Sequence, residues 1–448
     1  MSTIAPAEVV ERVWARDPTL WTGRDEAEWL GWLDEPARML ERVDQLLEFA
    51  ATADYDAVVL LGMGGSSLAP EVLRRAFGAA SFRVLDTTHP AAVRRLEASL
   101  ELERTLFVAS SKSGGTIETR SHLDYFWERT GGDWSRFVAV TDPGSPLEQL
   151  ARERGFLDVF GGEPSIGGRY SALSIFGMLP AALMGADVRR LLERAEEMRE
   201  ACRYGAGNPG LELGVALGEA WRGGRDKVAL VDVPDGFELW VQQLLAESTG
   251  KQGRGLVPVE GDGADVQAHE VRIEQPYELG QEFFRWEFAT AVAGSLLGVN
   301  PFDQPDVQAA KDKTNAVLER GEANVAPQGS VDELLDGARE GDYVAVCAFI
   351  DPEREAALEP LLTRIRETGT PLMSGLGPRY LHSTGQLHKG GPDTALCVHV
   401  VDDLGDELPI PGRPFGFRRL IAAQAAGDFE ALRERGRRVV RVHLEDVA

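Results

Sequence analysis

Ser111, Ser113 and Thr116, with Lys112 and the pair Gly114–Gly115 among them, crowd hydroxyl, cationic and side-chain-free positions into the stretch SSKSGGTIET. The stretch follows an apolar run, LFVAS, and passes into the helical pattern TIETRSHLDYFW. Glycines let a backbone approach a ligand closely, and the free N–H groups and positive dipole end of a helix start favour an anion. With three hydroxyl donors added, the loop suits a dianionic phosphate monoester. The nucleotide-binding spacing GxxxxGK[ST] is absent. For this segment alone, an ordinary polar loop between strand and helix is the competing reading.

Other segments carry chemistry of the same kind. GMGGSS at 62–67 places Gly65 and Ser66 between a buried strand and a helix. It is not a GxGxxG fingerprint, because Ser67 stands where the third glycine belongs, and this weighs against a nicotinamide-dependent dehydrogenase. Arg169 sits between glycines and an aromatic in SIGGRYS. That crowding of small residues favours an arginine aimed into a cleft, where it would stabilise a developing oxyanion rather than face solvent. Gln243 and Glu247 are four residues apart in QQLLAESTGK and share a helix face, although a glutamate at a helix end is more often simply solvated. Lys311 follows Gln304 by seven residues at a turn-to-helix junction in NPFDQPDVQAAK, where a lone lysine usually faces water. HSTGQLHKGGP gathers His382 and His388 with hydroxyls, a glutamine and glycines in one loop, a setting typical of functional loops. No HExxH or CxxC pattern is present, so no catalytic metal is expected.

These residues need a scaffold that brings loops together. Residues 57–77, 81–100, 105–129 and 136–155 each read as strand, turn and helix, which predicts an α/β fold with a parallel, doubly wound sheet. A ligand then sits at the carboxyl ends of the strands, where both Gly/Ser loops fall. A second α/β unit follows: DKVALVDVPD and a helix into ESTGK, the apolar helix EFFRWEFATAVAGSLLG, and strands YVAVCAFID and TALCVHVVD. The expected organisation is an N-terminal helical segment over 1–50, with Trp14, Trp21, Trp29 and Trp32 packing on the body, then units over 51–200 and 201–448. The polar stretch 320–335 reads as a surface connection.

A chain of 448 residues exceeds what one core usually supports. The net charge of −25 argues against nucleic acid or an acidic membrane surface as partner. A phosphate-bearing substrate therefore needs a locally positive site. Cys202, Cys347 and Cys397 have no paired spacing, which points to a reducing compartment. The first residues, MSTIAPAEVVERVWARD, lack an apolar signal core, and no apolar run reaches membrane-spanning length, so a cytoplasmic location is expected.

Taken together, the motifs resemble the phosphoglucose isomerase family, and the resemblance covers nearly the whole chain. GMGGSSLAP is similar to that family's GIGGSxLGP loop, SSKSGGTIET to its SKTFTTxET phosphate loop, and IGGRYS to its VGGRYS motif. ESTGK is similar to ESNGK or ESEGK, and GVNPFDQPDVQAAK to the FDQxGVExxK signature. The resemblance implies two tandem sugar-isomerase (SIS) domains and a cofactor-free, metal-free interconversion of glucose 6-phosphate and fructose 6-phosphate through a cis-enediolate. It implies that Glu247 moves the proton between C1 and C2, that Arg169 stabilises the intermediate, and that Lys311 with a histidine assists ring opening. Gly65, Ser66, Gln243 and the stretch holding Ser111, Lys112, Ser113 and Thr116 would bind substrate. It also implies a homodimer, whose histidine in the family can come from the neighbouring subunit.

The chain departs from the family pattern in ways that matter. The string LHSTGQ follows Lys311, whereas in the family the catalytic histidine precedes the lysine signature. His382 is the expected ring-opening residue, with His388 as competitor and substrate contact. Asp306 and Gln308 alter the lysine signature, and Pro164, Ala172 and Ile175 alter the arginine motif. RWEFATAVAG and GQLHKGG are similar to the isomerase part of transaldolase–isomerase fusions, which marks a divergent branch; no transaldolase domain occurs in the 448 residues. Two other readings remain open at this level: a dual phosphoglucose/phosphomannose isomerase, and a non-catalytic SIS-domain sugar-phosphate sensor, which would need neither Glu247 nor Lys311.

Overall fold

The computed structural model describes residues 6–321 and 323–447. Five strands, β1 (Ala57–Leu61), β2 (Phe82–Leu85), β3 (Thr105–Ser110), β4 (Phe137–Thr141) and β5 (Asp158–Gly161), form a sheet in the order β2-β1-β3-β4-β5. Every pairing in it is parallel. Residues of β3 and β4 are buried throughout, as strands covered on both faces must be, which is why they read as unbroken apolar runs rather than alternating ones. The order reverses beside β1, so the loops after β1 and β3 open on the same crevice at the carboxyl edge.

The second half carries two further parallel sheets. β6 (Lys227–Val231), β7 (Val257–Pro258) and β8 (Val266–Glu270) lie in the order β7-β6-β8. β9 (Tyr343–Phe349), β10 (Leu372–Leu376), β11 (Ala395–Val401) and β12 (Arg438–His443) lie in the order β10-β9-β11-β12. One antiparallel bridge, Glu260 to Leu372, links the two. Sequence reading found β6, β9 and β11 but not β7, β8, β10 or β12. β7 has two residues, β8 is mostly polar, β10 contains Gly375, and β12 mixes its valines with two arginines and ends on a histidine. The 320–335 stretch, read as a plain connection, contains the start of a short helix, Val331–Asp336, capped by Ser330.

A large apolar core runs beneath the first sheet and continues into the helix Leu279–Leu297. Trp21 donates its indole N–H to the Ala291 carbonyl of that helix (2.8 Å), and Trp14 donates to the Cys202 carbonyl (2.9 Å). Trp32 stacks on Tyr170, beside Arg169, with ring centroids 5.4 Å apart. The N-terminal segment thus buttresses the arginine loop directly. Among the described residues no helix is long and apolar enough to cross a membrane.

Candidate active site

The loop after β3 is built by local geometry. Gly114 has φ +67°, and a Cβ there would stand 2.7 Å from the Leu147 backbone nitrogen, so only glycine fits. Ser111 and Thr116 hydrogen-bond to each other through their hydroxyls (2.9 Å). Thr116 is the N-cap of the helix Ile117–Arg129, yet its side chain does not cap the helix. The start of this helix is therefore open to an anion, with the exposed Ser113 hydroxyl beside it. Lys112 turns the other way: its ammonium pairs with the Asp142 carboxylate and reaches the carbonyl of Glu163 (3.2 Å). Burial raises the Asp142 carboxyl above its ordinary range, with Lys112 pulling against it.

The loop after β1 meets the arginine loop backbone to backbone. Any Cβ on Gly65 would collide with the Gly168 carbonyl. This contact seats Arg169, which is 2% exposed and fully engaged. Its Nε donates to Ser248 Oγ (2.8 Å), Nη1 to Gln304 Oε1 (2.5 Å), and Nη2 to the carbonyls of Pro301 (2.7 Å) and Asp303 (2.9 Å). Nη1 also stands 3.6 Å from Glu247 Oε1. A guanidinium held at every nitrogen is a fixed positive charge that needs no rearrangement when a negative charge develops nearby. Lys251 secures the same turn, donating to the carbonyls of Asn300 (2.7 Å) and Asp303 (2.6 Å). Burial first, and then the Arg169 charge, push its ammonium down to about 8.

Glu247 and Gln243 lie one turn apart on the helix Phe237–Thr249. Gln243 donates to Glu247 Oε2 (3.2 Å) and to the His382 carbonyl (2.7 Å), and its own buried Oε1 has no partner. The Glu247 carboxylate is thus steered by Arg169 on one oxygen and Gln243 on the other. His382 ends the short turn Arg379–His382, and its Nε2 lies 2.8 Å from Glu118 Oε1. Gln424 also donates to that oxygen (2.6 Å) and accepts from the Thr88 hydroxyl (2.8 Å). Burial pushes the Glu118 carboxyl up, but the His382 charge and hydrogen bond outweigh it and leave Glu118 below its ordinary range.

Gly65, Ser66, Lys112, Ser113, Thr116, Arg169, Gln243, Glu247, Lys311 and His382 all line one cleft of about 620 Å³. Two expected site residues do not. Ser111 is buried behind the loop, where it braces Thr116. The expectation for His388 is corrected: it is 2% exposed, with Nδ1 3.3 Å from the Tyr343 hydroxyl and Nε2 3.1 Å from Thr384 Oγ1. Burial, and then the charge of Lys389, push it down to about 3, so it stays neutral. The helix Gly385–Gly390 turns this ring back into the core, away from the cleft. Among the described residues no group of three His, Cys, Asp or Glu side chains is placed to hold a metal ion.

A family model described as phosphoglucose isomerase matches residues 40–273. A probable glucose-6-phosphate isomerase of Natronomonas pharaonis is 34% identical over 404 residues, covering 86% of this chain and 83% of that protein. The chain belongs to the phosphoglucose isomerase family. The glucose-6-phosphate isomerase of Gloeothece citriformis is 31% identical over 379 residues, covering 78% of this chain and 64% of the relative. For the relative from Thermosynechococcus vestitus the covered share is 50% of its length, so the match spans about half to two thirds of these two relatives. A solved glucose-6-phosphate isomerase of Chlamydia trachomatis superposes with TM-score 0.55 at 20% identity, over 70% of this chain and 78% of that one. A Thermus thermophilus protein solved as hypothetical gives TM-score 0.51 at 24% identity, over 98% and 83%. At these identities the likeness is one of fold.

Within this family fold the structure adds residues to which the sequence assigns no part in the site. Glu118, Gln304 and Gln424 meet His382 or Arg169 only through the tertiary fold. Asp25 and Trp29, from the N-terminal segment, close one wall of the cleft. Asn300 donates to Asp25 Oδ1 (2.9 Å) and Trp29 to Oδ2 (3.1 Å), which fixes that wall in place. No local pattern announced them, because an aspartate and a tryptophan in an amphipathic stretch look like surface and core.

Proposed function

We propose that the protein interconverts glucose 6-phosphate and fructose 6-phosphate in the cytoplasm, without metal or nucleotide. The observation that carries this reading is the convergence of Glu247, Arg169, His382, Lys311 and the open helix start at Thr116 on one cleft. The phosphate sits on the hydroxyls of Ser113 and Thr116 and the N–H groups at that helix start, a remote grip that orients the sugar. His382, held by Glu118, delivers a proton to the ring oxygen while the C1 hydroxyl proton passes to solvent water in the open cleft, with Lys311 beside it. The open aldose then loses its C2 proton to Glu247, and the negative charge on O1 and O2 falls under Arg169. Glu247 returns the proton to C1, giving the ketose. Atoms balance, since one proton moves from C2 to C1 and one from O2 to O1.

The names carried by the relatives support the same substrate pair. Glu247→Gln removes the base while keeping the side chain's shape. Isomerisation should disappear while sugar-phosphate binding, measured by calorimetry, persists; near-normal turnover in this variant would overturn the assignment of the base. A homodimer belongs to the same reading through the family resemblance, and sedimentation of the purified chain tests it.

A further inference from the structure

The stretch from Arg379 to Gly390 delivers His382 to the cleft, yet its two helical pieces have only four and six residues. Pieces that short do not hold themselves in water. Besides Gln243 at the His382 carbonyl and Gln386 at the Gly250 carbonyl, this stretch is held by Asp428, 1% exposed on the helix Phe417–Glu434. Tyr380 donates its hydroxyl to Asp428 Oδ2 (2.6 Å). Lys389 Nζ lies 2.5 Å from Oδ1, and its other bond goes to the Gly385 carbonyl (3.2 Å). His399 on β11 places Nε2 3.2 Å from Oδ2. One buried carboxylate therefore grips the stretch on both sides of His382, at Tyr380 and at Lys389.

The same helix face does a second thing. Gln424, one turn before Asp428, donates to the Glu118 oxygen that His382 engages. Residues four apart on a helix are neighbours on its surface, so one face fixes both the backbone that carries His382 and the partner of its ring. An ion pair buried this deeply contributes little net stability compared with a well-packed apolar pair. What it supplies is a single geometry. We propose that Asp428 is a positioning residue: by holding Tyr380 and Lys389 it sets His382 against Glu118 for ring opening. This rests on the reading of the cleft given above.

The test separates ring opening from the C–H proton transfer. Exchange between the α and β anomers of glucose 6-phosphate needs ring opening but not Glu247, and two-dimensional exchange NMR reads it directly. Tyr380→Phe keeps the Lys389–Asp428 pair and should fold; Asp428→Asn removes the grip more fully. Both should lower catalysed anomer exchange and kcat together by about tenfold or more, with KM little changed, as expected for a displaced acid–base group. Glu247→Gln, in contrast, should lose isomerisation and keep anomer exchange. Anomer exchange at the wild-type rate in folded Tyr380→Phe would overturn the proposal, whatever happens to kcat. A wild-type protein without isomerase activity would instead overturn the reading of the cleft itself, and the positioning role with it.

Discussion

His382 Nε2 and Glu118 Oε1 stand 2.8 Å apart although 264 residues separate them in the chain. Glu118 lies in the first turn of the helix that follows the loop after β3. The loop proposed to bind phosphate and the carboxylate that holds the histidine are thus parts of one rigid element. Gln243 ties the other side, donating both to the His382 carbonyl and to Glu247. Glu118, His382, Gln243 and Glu247 are connected in series through direct hydrogen bonds, so under the proposed reading a substrate gripped at the helix start would meet its acid and base at fixed distances.

Glu118→Gln isolates the charge in this arrangement. The amide keeps the size of the carboxylate but neither carries its negative charge nor accepts on both oxygens. His382 then loses the charged partner that fixes its ring. Steady-state kinetics should show kcat down by about ten- to a hundredfold, at or below the lower end of the range for removing an acid–base group itself, with little change in thermal midpoint. Unchanged kcat would mean that the His382–Glu118 contact is only structural.

Gly65→Ala tests the seating of Arg169. The added methyl would collide with the Gly168 carbonyl, so either the loop after β1 or the arginine loop must shift. Displacement of Arg169 by about 1 Å is enough to cost two orders of magnitude in kcat/KM. Gly167→Ala is the control: φ is −66° and nothing lies within 4 Å of the new methyl. Activity should fall steeply in the first variant and hold in the second. Equal activity in both would remove the contact from the account.

How much of this was legible beforehand follows from how local each signal is. Gly114 has a positive φ that its own turn requires, so the loop after β3 shows in five or six consecutive residues. Arg169 and Glu247 stand in motifs whose neighbours shape the turn or helix that carries them. His382 and His388 share one polar loop and only the fold separates them: a turn ends at the first, and a short helix carries the second into the core. Glu118 reads as an ordinary helical glutamate until its partner arrives from the other half of the chain. The pairing of Lys112 with Asp142 is invisible for the same reason, since thirty residues and a full strand lie between them.

Glu35 offers a pH signature of the scaffold beneath the site. It starts the helix Glu35–Thr52 and pairs with Arg38 (2.8 Å), which donates to the Gly31 carbonyl (2.6 Å). Burial raises its carboxyl from 4.5 to about 7, against the opposing pull of Arg38. The folded protein then holds this proton more tightly than the unfolded chain does. Its contribution is full below the unfolded value and is lost as pH rises through about 7, a loss of about 3 kcal/mol. Glu35→Gln resembles the protonated acid at every pH. Urea unfolding should find the two proteins nearly equal near pH 5 and the variant more stable by about 2–3 kcal/mol near pH 8. A constant difference across that window would place the Glu35 proton elsewhere.

His382 reaches the cleft from the same chain that supplies Glu247, and both line one cavity. The order of segments explains how. LHSTGQ follows Lys311 rather than preceding it, so the chain passes through β9 and β10 before presenting the histidine. Its carbonyl is held by Gln243 and its ring by Glu118 within the one chain. The consequence can be read by complementation. If each site uses its own histidine, mixing subunits of Glu247→Gln with subunits of His382→Ala leaves every site lacking one group. Unfolding and refolding the two variants together should then give no more isomerase activity than either variant alone. A histidine donated across an interface would behave differently, because a mixed dimer would contain one site with both groups intact. Recovery of a substantial share of wild-type activity in the mixture would therefore reverse the within-chain assignment.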